Sequence, residues 1–140
     1  MGKILCATRG GEASYRTQDA AIALAKERGD TLLFLYVVDL SFLDKTAAPI
    51  VVDVENEVTK MGEFLLLMAR ERAAAQGVAA QSLCREGKVR EELKKAAHEE
   101  GVSLVVLGRP TGAESVFELA GLKAFAAAIE AEAGVETRII

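Results

Sequence analysis

The spacing of apolar residues in this chain switches repeatedly between short continuous runs and a repeat of three to four. That alternation constrains the fold more than any other feature. Lys3 to Thr8 is an apolar run that enters the glycines Gly10 and Gly11, as a buried strand followed by a tight turn does. Ala13, Thr17, Ala20, Ala21, Leu24, Ala25 and Arg28 then follow helical spacing, closed by Gly29. Thr31 to Val38 is again almost continuously apolar, the pattern of a strand covered on both faces. Asp39 to Val52 has no clear period and is long for a connection in a compact domain. Val54, Val58, Met61, Leu65, Met68, Ala69 and Arg72 predict a long helix ending near Gly77, and Ala80 to Glu86 a weaker strand. Val89 to Glu100 predicts a helix with Val89, Leu93, Ala96 and Ala97 on one face, and Leu104 to Leu107 the clearest strand. A turn through Arg109, Pro110, Thr111 and Gly112 leads to a last helix that Ser115 can cap, with Val116, Leu119, Lys123, Ala126, Ala127 and Glu130 near one stripe. Gly134 stops it, and Thr137 to Ile140 is a final short strand. The order β-α-β-α-β-α-β-α-β implies an α/β domain, a mainly parallel sheet with helices on both faces.

A length of 140 residues suits one domain spanning 1–140, and neither a linker, a repeat nor a low-complexity segment interrupts it. An apolar fraction of 51% can fill a core, and because much of it is Ala the helices are expected to approach closely. Aromatics make up only 5%, without Trp, and the net charge is -4 with Lys and Arg scattered beside Glu. Neither a base-stacking surface nor a basic stripe for nucleic acid follows from this, and the acidic balance disfavours a membrane surface. The opening Met1-Gly2-Lys3-Ile4-Leu5-Cys6 is too short an apolar run for a signal peptide, and Cys6 stands where a myristoylation motif needs Ser or Thr. A cytoplasmic location is expected. Cys6 and Cys84, far apart, read as two buried small hydrophobes in a reducing compartment, and with a single His they offer no zinc-ligand spacing.

In a sheet of this kind ligands bind beyond the carboxyl ends of the strands, where strand order reverses. Thr8 to Gly11, Val38 to Asp44 and Gly108 to Ser115 reach that edge. Their glycines can bring backbone amides against a phosphate, with Arg9 and Arg109 adding charge, or can simply make tight turns. Any bound anion is expected between Gly108 and Ser115, near Arg109. Other candidates are weaker. His98 lies beside Glu99 and Glu100 on a solvated helix face, without the partner and nucleophile that catalysis needs. Ser14 fits helix capping, Met61, Leu65 and Met68 fit a core, and Glu91 and Glu92 fit pairing with lysines.

Three segments together resemble the universal stress protein family. ILCATRGGEAS is similar to its first strand and turn, ALAKERGDTLLFLYVVD to its first helix end and second strand, and REGKVREELKKAAHEEGVSLVVLGR to its third helix and fourth strand. The resemblance spans most of the chain in order. It implies a three-layer α/β/α fold, with five strands in the order 3-2-1-4-5. Nucleotide-binding members carry Gly-x2-Gly-x9-Gly followed by Ser or Thr after the fourth strand. Here Gly108 matches the first glycine, Thr111 replaces the second with Gly112 one residue late, Gly121 matches the third, and Leu122 replaces the hydroxyl residue. Arg9 replaces the acidic residue of the first turn.

The resemblance therefore marks Ala7, Thr8, Arg9, Val38, Gly108, Arg109, Thr111, Gly112, Gly121 and Leu122 as the edge where ATP or another adenine nucleotide would sit. It also implies that ATP binds weakly or not at all. The leading expectation is a non-enzymatic stress-response regulator, a homodimer joined through Thr137, Arg138, Ile139 and Ile140, with an unknown protein partner. An ATP-binding nucleotide switch is the alternative, and an adenylyl-transferring enzyme, which lacks a recognisable pyrophosphate motif here, the third.

Overall fold

A computed structural model of the chain describes residues 2–8, 12–38, 48–109 and 115–140, with the first residues of three helices given by backbone alone. Five strands and four helices alternate: β1 (Lys3–Ala7), α1 (Glu12–Arg28), β2 (Thr31–Val38), α2 (Ala48–Ala75), β3 (Ala80–Glu86), α3 (Val89–Glu99), β4 (Leu104–Leu107), α4 (Ser115–Ala133) and β5 (Glu136–Ile139). All pairings are parallel and the strand order is β3-β2-β1-β4-β5, the expected 3-2-1-4-5.

Strand alternation divides the core in two. Ile4 and Cys6 of β1, Leu32 and Phe34 of β2, and Leu104 and Val106 of β4 point to one face. There they meet Ala21, Ile22 and Ala25 of α1 and Leu66, Ala69 and Ala73 of α2. Leu5, Leu33, Leu35, Val105 and Leu107 point to the other face and meet Leu93, Ala96 and Ala97 of α3 and Phe125, Ala126 and Ile129 of α4. Each strand residue is thus assigned its layer by the period of two, and the runs 4–6, 32–35 and 104–107 of the three central strands, covered on both faces, lack polar residues, whereas the edge strands β3 and β5 carry them. The three-layer architecture follows. Burial pushes the Cys6 thiol up to about 12, since a thiolate there would lie unsolvated among hydrocarbon. Cys84 is half-buried; its thiol is raised first by burial and then by the nearby Glu63 carboxylate.

Two helices differ from expectation. α2 begins at Ala48, so the irregular segment expected to run to Val52 ends sooner, and residues 39–47 lie outside those described. Pro49 in the first turn is no obstacle, because its missing N–H has no helical partner there. The face of α2 is also rotated. Met61 and Met68, expected in the core, are 53% and 40% exposed. The buried stripe is Gly62, Leu66, Ala69 and Ala73. Among the described side chains of α4 the buried residues are Phe125, Ala126 and Ile129; of the expected stripe Ala126 is buried, Lys123, Ala127 and Glu130 face solvent, and the Val116 side chain lies outside those described. Both helices carry apolar residues around more than half their circumference, so periodicity alone did not select the buried arc. Small residues select it in α2, by letting the helix backbone come close to the sheet.

Gly62 shows how close. A Cβ there would lie 2.5 Å from Cδ1 and 2.7 Å from Cε1 of the Tyr36 ring. Gly→Ala inside a helix ordinarily stabilises by about 1 kcal/mol, but displacing a packed ring costs about 1–3 kcal/mol. Gly62→Ala is therefore expected to lower stability to urea by roughly 1 kcal/mol net, and in a Tyr36→Ala background to raise it. A more stable Gly62→Ala in the wild-type background contradicts the contact.

Candidate functional site

Strand order reverses between β1 and β4. From β1 the chain winds outward through β2 and β3, then crosses back and winds through β4 to β5. Thr8 follows β1 at this point and Gly108 follows β4. Helix α1 closes over both. The Thr8 N–H donates to the Leu35 carbonyl at 2.9 Å, which extends the β1–β2 ladder by one residue. Its hydroxyl accepts from Gln18 Nε2 at 2.6 Å. Thr8 and Gln18 are each 2% exposed, and Oε1 of Gln18 is buried with no hydrogen-bond partner among the described residues. One residue earlier, Thr17 sits against the chain leaving β4, where a Cβ on Gly108 would fall 2.6 Å from Thr17 Oγ1. Gly108 is needed here for close approach, so the second turn of α1 packs directly on the chain leaving β4.

Among the other residues marked by sequence, Ala7 ends β1 and packs on the α3–α4 side. Val38 ends β2, is 2% exposed, and its carbonyl accepts from the Gly87 N–H at 3.0 Å. Arg109 is exposed with no ion pair among the described residues, but its N–H donates to the Ile140 carbonyl at 2.8 Å and is thereby committed to the sheet. Gly121 and Leu122 lie in the second turn of α4. A Cβ on Gly121 would stand 3.4 Å from Arg90 Nη2, and Leu122 packs against the core of α3 and α4. The structure thus brings Ala7, Thr8, Val38, Gly108 and Arg109 to the carboxyl edge and sets Gly121 and Leu122 within a helix. Arg9, Thr111 and Gly112 lie outside the described residues, as do Gly10, Gly11 and Pro110.

Gln18 was not singled out by the sequence. Its place in the series Gln18, Ala21, Ile22 and Ala25 put it on the buried arc of α1, and a polar residue there demands a partner. His98 is exposed on α3, as expected. Glu92 meets Lys95 at 3.3 Å but also Arg85 of β3 at 3.9 Å, so it joins helix to strand as well as pairing within the helix. Among the described residues no helix is long and apolar enough to cross a membrane.

The family model of the universal stress protein family matches residues 1–133. The chain is 34% identical over 116 residues to universal stress protein YxiE of Bacillus subtilis (strain 168), covering 77% of this chain and 78% of that protein. A universal stress protein solved in complex with cAMP superposes with a TM-score of 0.69 at 16% identity, over 99% of this chain and 96% of that one. A family member from Arabidopsis thaliana with AMP bound superposes with a TM-score of 0.66 at 12% identity, over 100% and 91%. A reversed-order parallel sheet of five strands, sealed at its switch point by α1 and matched along nearly its whole length, establishes that this chain belongs to the universal stress protein family.

Proposed function

We propose that this chain is a non-enzymatic, cytoplasmic regulator of the stress response that works as a homodimer and binds ATP weakly or not at all. One observation carries the reading of the nucleotide edge: Leu122, where binding relatives place a hydroxyl, packs into the α3–α4 core. A side chain committed there offers nothing to a phosphate. The Arg109 amide, bound to Ile140, is likewise unavailable. The exposed Arg109 guanidinium remains at this edge, and it favours a small anion over a triphosphate held along a glycine-rich loop.

A second reading, an adenine-nucleotide switch, draws support from the relatives that hold cAMP and AMP. These ligands ask less of a phosphate loop than ATP does. Isothermal titration of nucleotide-free protein with Mg-ATP, AMP and sulfate separates the readings. We expect Mg-ATP to bind with a Kd weaker than about 100 µM, near -5.5 kcal/mol, and Arg109→Ala to weaken sulfate binding. A Kd for Mg-ATP below about 1 µM, or -8.2 kcal/mol, contradicts the first reading and supports the switch.

The proposed dimer joins β5 edges. β5 borders the sheet, and Ile140 exchanges both its bonds with β4: its N–H donates to the Leu107 carbonyl at 2.9 Å and its carbonyl accepts from Arg109. By alternation the Thr137 amide points outward, and it donates to Glu130 Oε1 at 3.1 Å. Glu136 and Arg138 pair with each other at 3.3 Å. A mate strand must therefore displace Glu130 before it pairs, gaining a ladder where one side-chain bond is lost. Removing residues 136 to 140, or Thr137→Pro, which deletes the outward amide alone, is expected to abolish this association in sedimentation velocity at micromolar concentration. Wild type and Thr137→Pro of equal mass contradict the β5 interface.

A further inference from the structure

The outer face of α2 carries large apolar side chains that the fold leaves in water. Phe64 is 61% exposed, Met61 53%, Leu67 49% and Met68 40%. They lie at spacings of three, three, one, so they share the arc opposite the buried stripe of Gly62, Leu66, Ala69 and Ala73. Isolated exposed hydrophobes are ordinary, but four on adjacent turns of one helix form a continuous patch of the kind that marks an interaction surface. Among the described residues, no other element carries such a run. Tyr15 and Val89 are single exposed residues on other helices, and Tyr15 is already covered by the Arg72 guanidinium, 4.8 Å from its ring centroid.

The charges bordering the patch say what fits it. Lys60 stands one turn before Phe64 and Glu71 one turn after Leu67, both exposed and neither in an ion pair among the described residues. Along this face the order is Lys60, Phe64, Leu67, Glu71, with steps of four, three and four. A sequence of cation, apolar, apolar, anion is complementary to itself when reversed. A two-fold axis through the middle of the stripe sets Lys60 of each copy beside Glu71 of the other and Phe64 of each beside Leu67 of the other. The steps of four and three are those of a helix seam that packs against a second helix.

We infer that the outer face of α2 is an isologous interface with a second copy of this chain, the two α2 helices running antiparallel about an axis between Phe64 and Leu67. The occupant is a second copy and not a heterologous helix, because the same surface supplies both the cation and the anion that the pairing needs. The interface lies on a helical layer, whereas β5 lies at the sheet edge, so the two are separate surfaces. A chain using both would form tetramers or longer assemblies, and a chain using one would stop at dimers.

Charge reversal tests this without touching the core. Lys60→Glu and Glu71→Lys each turn two attractive contacts per interface into repulsive ones, and each is expected to weaken association at least about tenfold in sedimentation velocity over a concentration series. The double variant Lys60→Glu/Glu71→Lys restores both pairs and is expected to recover the wild-type mass distribution. Phe64→Glu is expected to abolish the association altogether, with thermal unfolding of each variant confirming an intact fold. Because β5 contacts are indifferent to residues 60, 64 and 71, the results are separable. Loss of association with Thr137→Pro but not with the α2 variants overturns the α2 interface and leaves the β5 dimer. The reverse pattern supports α2 and overturns β5. Failure of the double variant to recover what both single variants lose also overturns the antiparallel pairing, as does a wild type that is monomeric throughout.

Discussion

The domain depends on β1. This strand of five residues is hydrogen-bonded on both sides, to β2 from Lys3 through Ala7 and to β4 from Ile4 through Cys6. Ile4, Leu5 and Cys6 are all 0% exposed. The first and third face α1 and α2, and the second faces α3 and α4, so one strand anchors both helical layers. Burying side chains of this size stabilises by about 1.5–3 kcal/mol each, and every one of them also holds its neighbours in register. A shift of β1 by a single residue would send Leu5 into the α1–α2 layer and move Thr8 away from both Leu35 and Gln18. The candidate site is an extension of this ladder: Thr8 is the first residue past β1, and its backbone is still bonded to β2.

At the candidate nucleotide edge and at the β5 edge, several polar groups are engaged within the chain. The Arg109 amide is bound by Ile140, and the Thr137 amide by Glu130. Leu122 is engaged by packing. The buried Thr8–Gln18 bond has a different role. It ties the end of β1 to α1 at the switch point and leaves the amide oxygen of Gln18 without a partner among the described residues. Arg72, which meets Asp19 of α1 and covers Tyr15, joins α1 to α2 on the outer surface, and Lys94 with Glu132, at 2.9 Å, joins α3 to α4.

Much of this was legible in the sequence because the strands are buried on both faces. Continuous runs such as Thr31 to Val38 and Leu104 to Leu107 have few alternatives, and the glycines after the helices mark where each must stop: Gly29, Gly77, Gly101 and Gly134 all have positive φ. Motif order then supplied the strand order, which periodicity could not. The buried faces of α2 and α4 were not legible. With Met61, Phe64, Leu65, Leu66, Leu67 and Met68 so close together, hydrophobicity points in nearly every direction. What decided the matter was the room Gly62 leaves for Tyr36, a contact across 26 residues that no local pattern encodes. At the site, the sequence located Thr8 and Gly108 but not the α1 residues Thr17 and Gln18 that close over them. Those read as ordinary helix positions until the strand ends are placed beneath them.

The claim that the whole domain hangs on β1 is tested most directly by native-state hydrogen exchange measured against denaturant. The amides of β1 that pair with β2 and β4 are expected to exchange only through global unfolding, with the same free energy and the same denaturant slope as the equilibrium transition. The amides of α2, whose outer face is exposed, are expected to open at lower free energy. Exchange of the β1 amides through a smaller opening, while α2 stays protected to the global limit, would contradict the account.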